Sequence, residues 1–403
     1  MFRRESALFV ALFLIFSAPL VQANNLCVQL FISEPAQLVP NQAGHPLLEA
    51  YLKSVNEKLG RSQNANESTS EVVFDSKFKT LRLQSKRGRV QSDSQARVLA
   101  FPGQGASISR VDSVAELVGT LNQRVEIDRP GKKSTLTKIA NHPDYLKMAA
   151  EAIELPGQRG APRTTDFKSW LELREWLAEY VWEMHRETPE LPIILVGRSA
   201  SSSYLLEVTA YVNAQARAQG IKPFVFSEGN ANMLASRETL PTNRAELDAF
   251  AERLKKDYWD TEAWRVRDRK TGEVIPGKED YSSMLIVYDS IMDFMFKMHE
   301  QIDMKFVEQG IQAGDRHMLL TSEHDPQVLA VERQAFADLA ARHPENVFYA
   351  DLKGTDAHDY FKPDRKVKDY KITVFKMLYS FVNKVTRGEP VDGLIELIPE
   401  KMQ

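Results

Sequence analysis

The sequence predicts an α/β fold, a mostly parallel central sheet flanked by helices, with a helical insertion in the second half of the chain. Three observations carry this expectation. Short apolar runs alternate with helix-period segments from residue 96 onward, the pattern of crossover connections in a parallel sheet. One run, Ile193-Ile194-Leu195-Val196, breaks at Gly197-Arg198-Ser199-Ala200-Ser201, a tight turn with a serine at its tip and a helical stretch behind it. That is the sequence form of a nucleophile elbow, which lifts a serine hydroxyl clear of a sheet. The third observation is order: Asp325 and His358 each stand just past a later predicted strand, and side chains at the carboxyl ends of strands in an open α/β sheet can converge.

Residues 1–23 combine Arg3 and Arg4, an apolar run over 7–16 and the small-residue ending Val21-Gln22-Ala23. They read as an export signal whose apolar part is too short to span a bilayer comfortably. Residues 24–95 are expected to hold an N-terminal extension and the first strands. A helix is expected over 46–59, a Ser- and Asn-rich break over 62–70, and strand-like segments over 72–83 that suit the first antiparallel strands. The core is expected over 96–228 and 315–403. Within it, 97–101 reads as a strand, and 108–145 is longer than a usual connection and is expected to form an insertion near the site. A helix over 170–185 spaces Trp170, Leu173, Trp176, Leu177, Tyr180 and Val181 by threes and fours.

Phe224-Val225-Phe226 is the expected sixth strand. A larger insertion, 229–314, follows, with an amphipathic helix over 244–256 and a Met- and Phe-rich helix over 283–302. Residues 316–321 then read as a buried strand running into the acidic turn Ser322-Glu323-His324-Asp325-Pro326. A helix over 328–341 sets Val328, Val331, Ala335, Phe336 and Leu339 on one face, and a strand over 346–351 leads into Gly354-Thr355-Asp356-Ala357-His358-Asp359.

Small residues two before and two after the serine make an elbow possible. Gly197 fills the first place, and Ser201 stands where a second glycine is usual. With these elements in order, the chain resembles the α/β-hydrolase family over roughly residues 96–386. The segment Arg97-Val98-Leu99-Ala100-Phe101-Pro102-Gly103-Gln104-Gly105-Ala106-Ser107 looks like that family's third strand and oxyanion loop, with Pro102-Gly103 where the family often has His-Gly. Similarly, Glu154-Leu155-Pro156-Gly157-Gln158-Arg159-Gly160 is similar to its Asp-x-Pro-Gly-His-Gly loop.

The resemblance implies Ser199 as nucleophile, His358 as general base and then acid, and Asp325 as the group that orients the imidazole. It implies an oxyanion hole made by the backbone N–H groups of Ala200 and Gln104, with Gly103 and Gly105 allowing close approach on either side of Gln104. Glu323 competes with Asp325 in the same turn, although the residue before a proline is held extended, which suits an acid that must point one way. His324 is the local rival to His358 and precedes the last strand rather than following it. In such a fold the 229–314 insertion corresponds to a cap, where Met284, Ile291, Met292, Met295, Phe296 and Met298 either line an acyl groove or pack the cap onto the core.

The implied activity is that of an exported serine hydrolase, periplasmic or extracellular, cleaving an ester, thioester or amide through an acyl-enzyme. A carboxylic ester of a small-molecule or lipid-like acyl substrate is favoured, and no cofactor is implied. Two alternatives remain: an acyltransferase with the same nucleophile, and a hydrolase-like binding protein without turnover. The first draws on Phe101-Pro102-Gly103-Gln104-Gly105, which resembles the opening signature of malonyl-CoA:acyl-carrier-protein transacylases, although that family's elbow reads Gly-His-Ser-Leu-Gly. No spacing of Cys, His, Asp or Glu matches a zinc site, and no phosphate loop or dinucleotide fingerprint appears. A formal charge of −3 without an aromatic-laced basic patch gives no sign of nucleic-acid binding. The single cysteine, Cys27, excludes an intramolecular disulfide, and no other stretch is apolar for long enough to leave a membrane span once the signal is removed.

Overall fold

The structure, a computed structural model, describes residues 70–103, 145–155, 170–198, 200–230, 265–267, 274–279, 303–322, 330–352 and 370–392, together with Glu49, Leu52, Lys53, Asn56, Val114, Ala115, Val118, Gly119, Asn122 and Val328. Its strands are β1 (Ser70–Asp75), β2 (Thr80–Ser85), β3 (Ala96–Phe101), β4 (Met148–Ile153), β5 (Ile193–Arg198), β6 (Val225–Asn230), β7 (Arg265–Arg267), β8 (Val274–Glu279), β9 (His317–Ser322) and β10 (Val347–Leu352). Eight of them form one sheet in the order β1-β2-β4-β3-β5-β6-β9-β10, and β7 pairs with β8 separately. Only β2 runs against its neighbours. Every other pairing in the large sheet is parallel. The expected mostly parallel α/β sheet forms, with the antiparallel pairing of the large sheet confined to its first strands.

Parallel neighbours need crossover helices, and these cover both faces of the sheet. Five helices are described at length: α1 (Trp170–Glu187), α2 (Ala200–Ala218), α3 (Met304–Gln312), α4 (Ala330–Arg342) and α5 (Tyr370–Arg387). Because side chains alternate along a strand, Val98 and Ala100 of β3 lie on one face with Val196, Phe226, Met318 and α5, whereas Leu99 and Phe101 lie on the other with Leu195, α1 and α2. β3, β4 and β9 are buried throughout, as strands covered on both faces must be.

The expected helix over 170–185 forms as α1, burying Trp170, Leu173, Leu177, Tyr180 and Val181, with Trp176 half-buried at its edge. In α4, Val328 just ahead of the helix, Phe336 and Leu339 are buried, but Ala335, expected on the same face, is exposed. The expected helix over 46–59 is represented by Glu49, Leu52, Lys53 and Asn56, all helical. The Asn56 side chain binds both the N–H and the C=O of Val72, fastening it to β1.

Of the interval 108–145, where an insertion is expected, a few residues are described. Val114, Ala115 and Val118 are helical and lie in the apolar cluster with α5. They belong to the crossover that the parallel pair β3 and β4 demands, and the rest of 108–144 lies outside the described residues.

Asp303, inside the interval 229–314 expected for the cap, joins the described core. Asp303 caps α3 by accepting from the N–H groups of Lys305 and Phe306, and its own N–H donates to Glu207 on α2 at 2.9 Å. Glu207 also accepts from Trp170 Nε1 and Arg174, both at 3.1 Å, joining α1, α2 and the start of α3. The 244–256 and 283–302 helices lie outside the described residues, as do residues 1–23.

One buried ionic cluster holds the antiparallel edge to the parallel core. Glu151 on β4 accepts from Arg97 on β3 at 2.7 Å and from Arg82 on β2 at 2.5 Å, while Arg82 reaches Asp75 and Arg97 reaches Glu187. Burial acts to raise the Glu151 carboxyl, yet the two guanidinium groups hold it below its usual range. Glu151→Gln leaves two buried cations short of their counter-charge, and urea unfolding is expected to show a loss of about 3 kcal/mol or more. A loss below about 1 kcal/mol would mean the cluster behaves like a solvated surface pair.

Candidate active site

β3, β4 and β5 follow one another in the chain, yet β3 lies between the other two in the sheet. The connections leaving β3 and β5 therefore go to opposite faces. Val114, Ala115 and Val118 after β3 pack on one face, and Tyr204, Leu205 and Val208 of α2 after β5 pack on the other. Such a divergence opens a crevice at the carboxyl ends of the two strands, the place where open α/β sheets bind ligands. Ser199 falls between Arg198, the last residue of β5, and Ala200, the first of α2.

The local sequence explains how helix and sheet come so close at this point. A Cβ on Gly197 would stand 2.7 Å from Ser202 Cα and 2.8 Å from its N. Gly229 is the partner of Gly197 across the β5–β6 ladder, and a Cβ there would stand 2.8 Å from Ser202 Cβ. Two adjacent strands thus omit a side chain at one level so that the first turn of α2 can rest on them. Gly197 is required by this close approach, and the sequence pattern finds it. Gly229 belongs to no motif, and no local signal in the sequence marks it.

Ser201, in the place of the usual second glycine, is fully buried. Its Oγ accepts the N–H of Arg198 at 2.7 Å and faces the C=O groups of Arg198 at 2.8 Å and Phe101 at 3.1 Å. The departure from glycine is tolerated because the hydroxyl finds partners where an unpaired one would be costly to bury.

The strands that feed the acidic turn and the histidine loop are neighbours, β9 and β10, ending level at Ser322 and Leu352. Their ends are fastened by Thr321 Oγ1, which lies 2.8 Å from both Asp351 Oδ1 and Tyr349 OH. β9 is two strands from β5 and β10 is three, or about 10 and 14 Å at the usual strand spacing. Three residues from Ser322 to Asp325 can extend about 10 Å, and six from Leu352 to His358 about 20 Å, so both loops are long enough to reach the elbow. Ser199, Gln104, Gly105, Glu323, His324, Asp325 and His358 themselves lie outside the described residues. So do Met284, Ile291, Met292, Met295, Phe296 and Met298. Gly103, Gly197 and the backbone of Ala200 are described.

Three of the eight histidines are described, and each stands away from the carboxyl edge. His317 begins β9, fully buried, with Nδ1 2.7 Å from Ser227 Oγ, and burial pushes its pKa down to about 3. His185 ends α1 against Phe224, and His343 follows α4 and meets Glu308 at 3.1 Å. Crossover helices run back toward the amino ends of the strands, so none of the three stands beside the elbow.

Two buried carboxyls lie close to the carboxyl edge. Glu154 follows β4, and Glu228 on β6 is flanked by Val196 of the elbow strand and Met318 of β9. Neither has a hydrogen-bond partner for its carboxyl oxygens among the described residues, and burial pushes each up to about 8.

No family model and no curated protein matches the chain. Among solved structures it is similar to a carboxyl esterase from Bacillus coagulans, with 12% identity over 79% of this chain and 98% of that one and a TM-score of 0.47. It is also similar to a monoglyceride lipase from Saccharomyces cerevisiae, with 13% identity over 80% and 96% and a TM-score of 0.43. Similarity at this level concerns the fold alone.

The packing at the elbow and the burial of Glu228 can each be tested. Gly229→Ala should destabilise by about 1–3 kcal/mol through overpacking on Ser202, and Ser202→Gly should recover part of that loss in the double variant. Strict additivity in urea unfolding would show that Ser202 is not what Gly229 accommodates. Glu228 keeps its proton in the folded protein at pH values where the unfolded chain has lost it. Between the ordinary value of 4.5 and about 8, stability should therefore fall as pH rises, by at most about 1.4 kcal/mol per pH unit for this group. Glu228→Gln should lose less stability than the wild type between roughly pH 5 and pH 7.5. Equal losses would show that Glu228 ionises normally.

Proposed function

On the α/β-hydrolase fold that these strands build, we propose that the chain is an exported serine hydrolase cleaving a carboxylic ester through an acyl-enzyme. The observation that carries this reading is the seat of α2. Gly197 and Gly229 bring the first turn of the helix onto β5 and β6, at the point where the connections after β3 and β5 diverge. A serine inserted between β5 and α2 at that point is the residue such a turn lifts toward a substrate.

In this proposal Ser199 Oγ attacks the acyl carbonyl carbon while His358 takes its proton. The bond to the leaving alcohol breaks as His358 returns that proton to the leaving oxygen. Water, activated by the same imidazole, then releases the acid and regenerates Ser199. Asp325 holds the tautomer and offsets the charge of the imidazolium. The backbone N–H groups of Ala200 and Gln104 receive the developing oxyanion, each such donor being worth roughly 2.7–4 kcal/mol in the transition state. Ala200 opens a 19-residue helix, whose N-terminal partial positive charge favours an anion there. The apolar composition of the expected cap suits an acyl chain, and residues 1–23 would direct export.

Fluorophosphonate labelling tests the proposal. The probe is expected to modify Ser199, with no modification of Ser199→Ala and with rates lower by roughly a thousandfold or more in His358→Ala and Asp325→Asn. A folded wild-type protein that is not labelled, or is labelled at another serine, would overturn the assignment and favour a hydrolase-like binding protein.

A further inference from the structure

The large sheet ends in two edge strands, β1 and β10. A sheet edge offers unpaired backbone N–H and C=O groups to any strand that can lie beside it, including the same strand of another copy. We propose that the helical segment around Asn56 closes the β1 edge against a second copy of this chain, with the Asn56 carboxamide standing in for the peptide group of a neighbouring strand. The ladder shows which groups of β1 turn outward. In an antiparallel pair both backbone groups of a residue point to one side of the strand, and those of the next residue point to the other. Leu81 C=O accepts the N–H of Glu154 at 2.9 Å, so Leu81 faces β4. Thr80 and Arg82, one residue to either side, therefore face β1, and their partners Asp75 and Val73 face β2. Ser70, Val72 and Phe74 are left facing away from the sheet, with Val72 in the middle.

Asn56 takes both outward groups of that middle residue. Its Oδ1 accepts the Val72 N–H at 2.7 Å, and its Nδ2 donates to the Val72 C=O at 2.9 Å. A carboxamide carries the donor and the acceptor of a peptide group, and two bonds to one residue are what a directly opposed residue of an antiparallel strand would make. Leu52, also helical and four residues before Asn56, packs against the apolar cluster that holds Val72, Leu81 and Leu83. Residues four apart share a helix face, so the burial of Leu52 seats Asn56 at the edge.

The strand that is closed off in this way is suited to pair with itself. Val72-Val73-Phe74 is a run of strong strand formers. If two copies of β1 lie antiparallel with Val72 opposite its counterpart, each Val72 N–H meets the other Val72 C=O, and the two bonds made to Asn56 are reproduced by two-fold symmetry. In that register Glu71 stands opposite Val73 and Ser70 opposite Phe74, so no carboxylate of 70–74 faces another. Asn56 and a second β1 claim the same two groups, and the two arrangements exclude each other.

The test follows the mass of the purified protein by analytical ultracentrifugation over a range of concentrations, for the wild type and Asn56→Ala, together with hydrogen exchange of the Val72 amide. Asn56→Gln supplies the same comparison if the alanine variant does not accumulate, because the added methylene keeps the carboxamide from making both bonds. As concentration rises, the variant is expected to approach roughly twice the mass of the wild type at the same concentration. At low concentration its Val72 amide should exchange roughly tenfold or more faster than that of the wild type, and this protection should return as the variant associates. A folded variant with the mass of the wild type throughout would overturn the proposal. So would association that leaves the Val72 amide unprotected, since it would arise at another surface.

Discussion

The contact of Ser202 with two strands that carry no side chain at its level is the constraint from which the rest of the site takes its position. It fixes where α2 begins, and α2 in turn organises the half of the molecule beyond β5. Glu207 gathers α1 and the start of α3. Asn213 donates to Val225 O at 2.8 Å and receives the N–H groups of Phe224 and Val225, pinning the helix to the start of β6. Gly310 leaves room for Ala210, since a Cβ there would stand 2.9 Å from that of Ala210. A helix held at so many points along one side cannot shift to relieve a clash at its first turn. That rigidity suits a nucleophile whose usefulness depends on small distances.

Buried charge is managed in two different ways around this framework. At the antiparallel edge, Glu151 is ionised between two guanidinium groups, and the pairing joins β2, β3 and β4. Near the carboxyl edge, Glu154 and Glu228 are held neutral by desolvation, without a partner for their carboxyl oxygens among the described residues. Pairing a buried charge lowers its cost through Coulomb attraction, whereas keeping the proton avoids the charge altogether. Only the second arrangement changes protonation within the range from the usual carboxylate value to about pH 8, so these two glutamates tie the stability of this part of the molecule to pH.

What could be read from the sequence follows from what repeats along it. The apolar runs of β3, β5 and β9 and the three-and-four spacing of α1 are local signals, and they place the elbow serine between strand and helix. The strand-to-strand order is not local, and neither is Gly229, which matters only because β6 lies beside β5. The helical residues Val114 and Val118 carry no sequence signal of their own, although the parallel pairing of β3 with β4 requires a connection there. α5 buries Val374, Phe375, Leu378, Phe381 and Val382 against the sheet, yet it lies beyond the histidine loop and carries no motif that would draw attention to it. Ser201 reads as a mild departure from glycine because a motif records residue types and cannot record that a hydroxyl bridges Arg198 and Phe101.

The central claim is that the turn after β5 presents a serine that becomes acylated. Rapid-quench mass spectrometry of the intact protein during turnover of an activated ester tests this most directly. The account predicts a transient adduct of the mass of the acyl group on the peptide containing Ser199, formed in step with a burst of released alcohol. Steady release of product without any adduct, or an adduct on a different peptide, would contradict it.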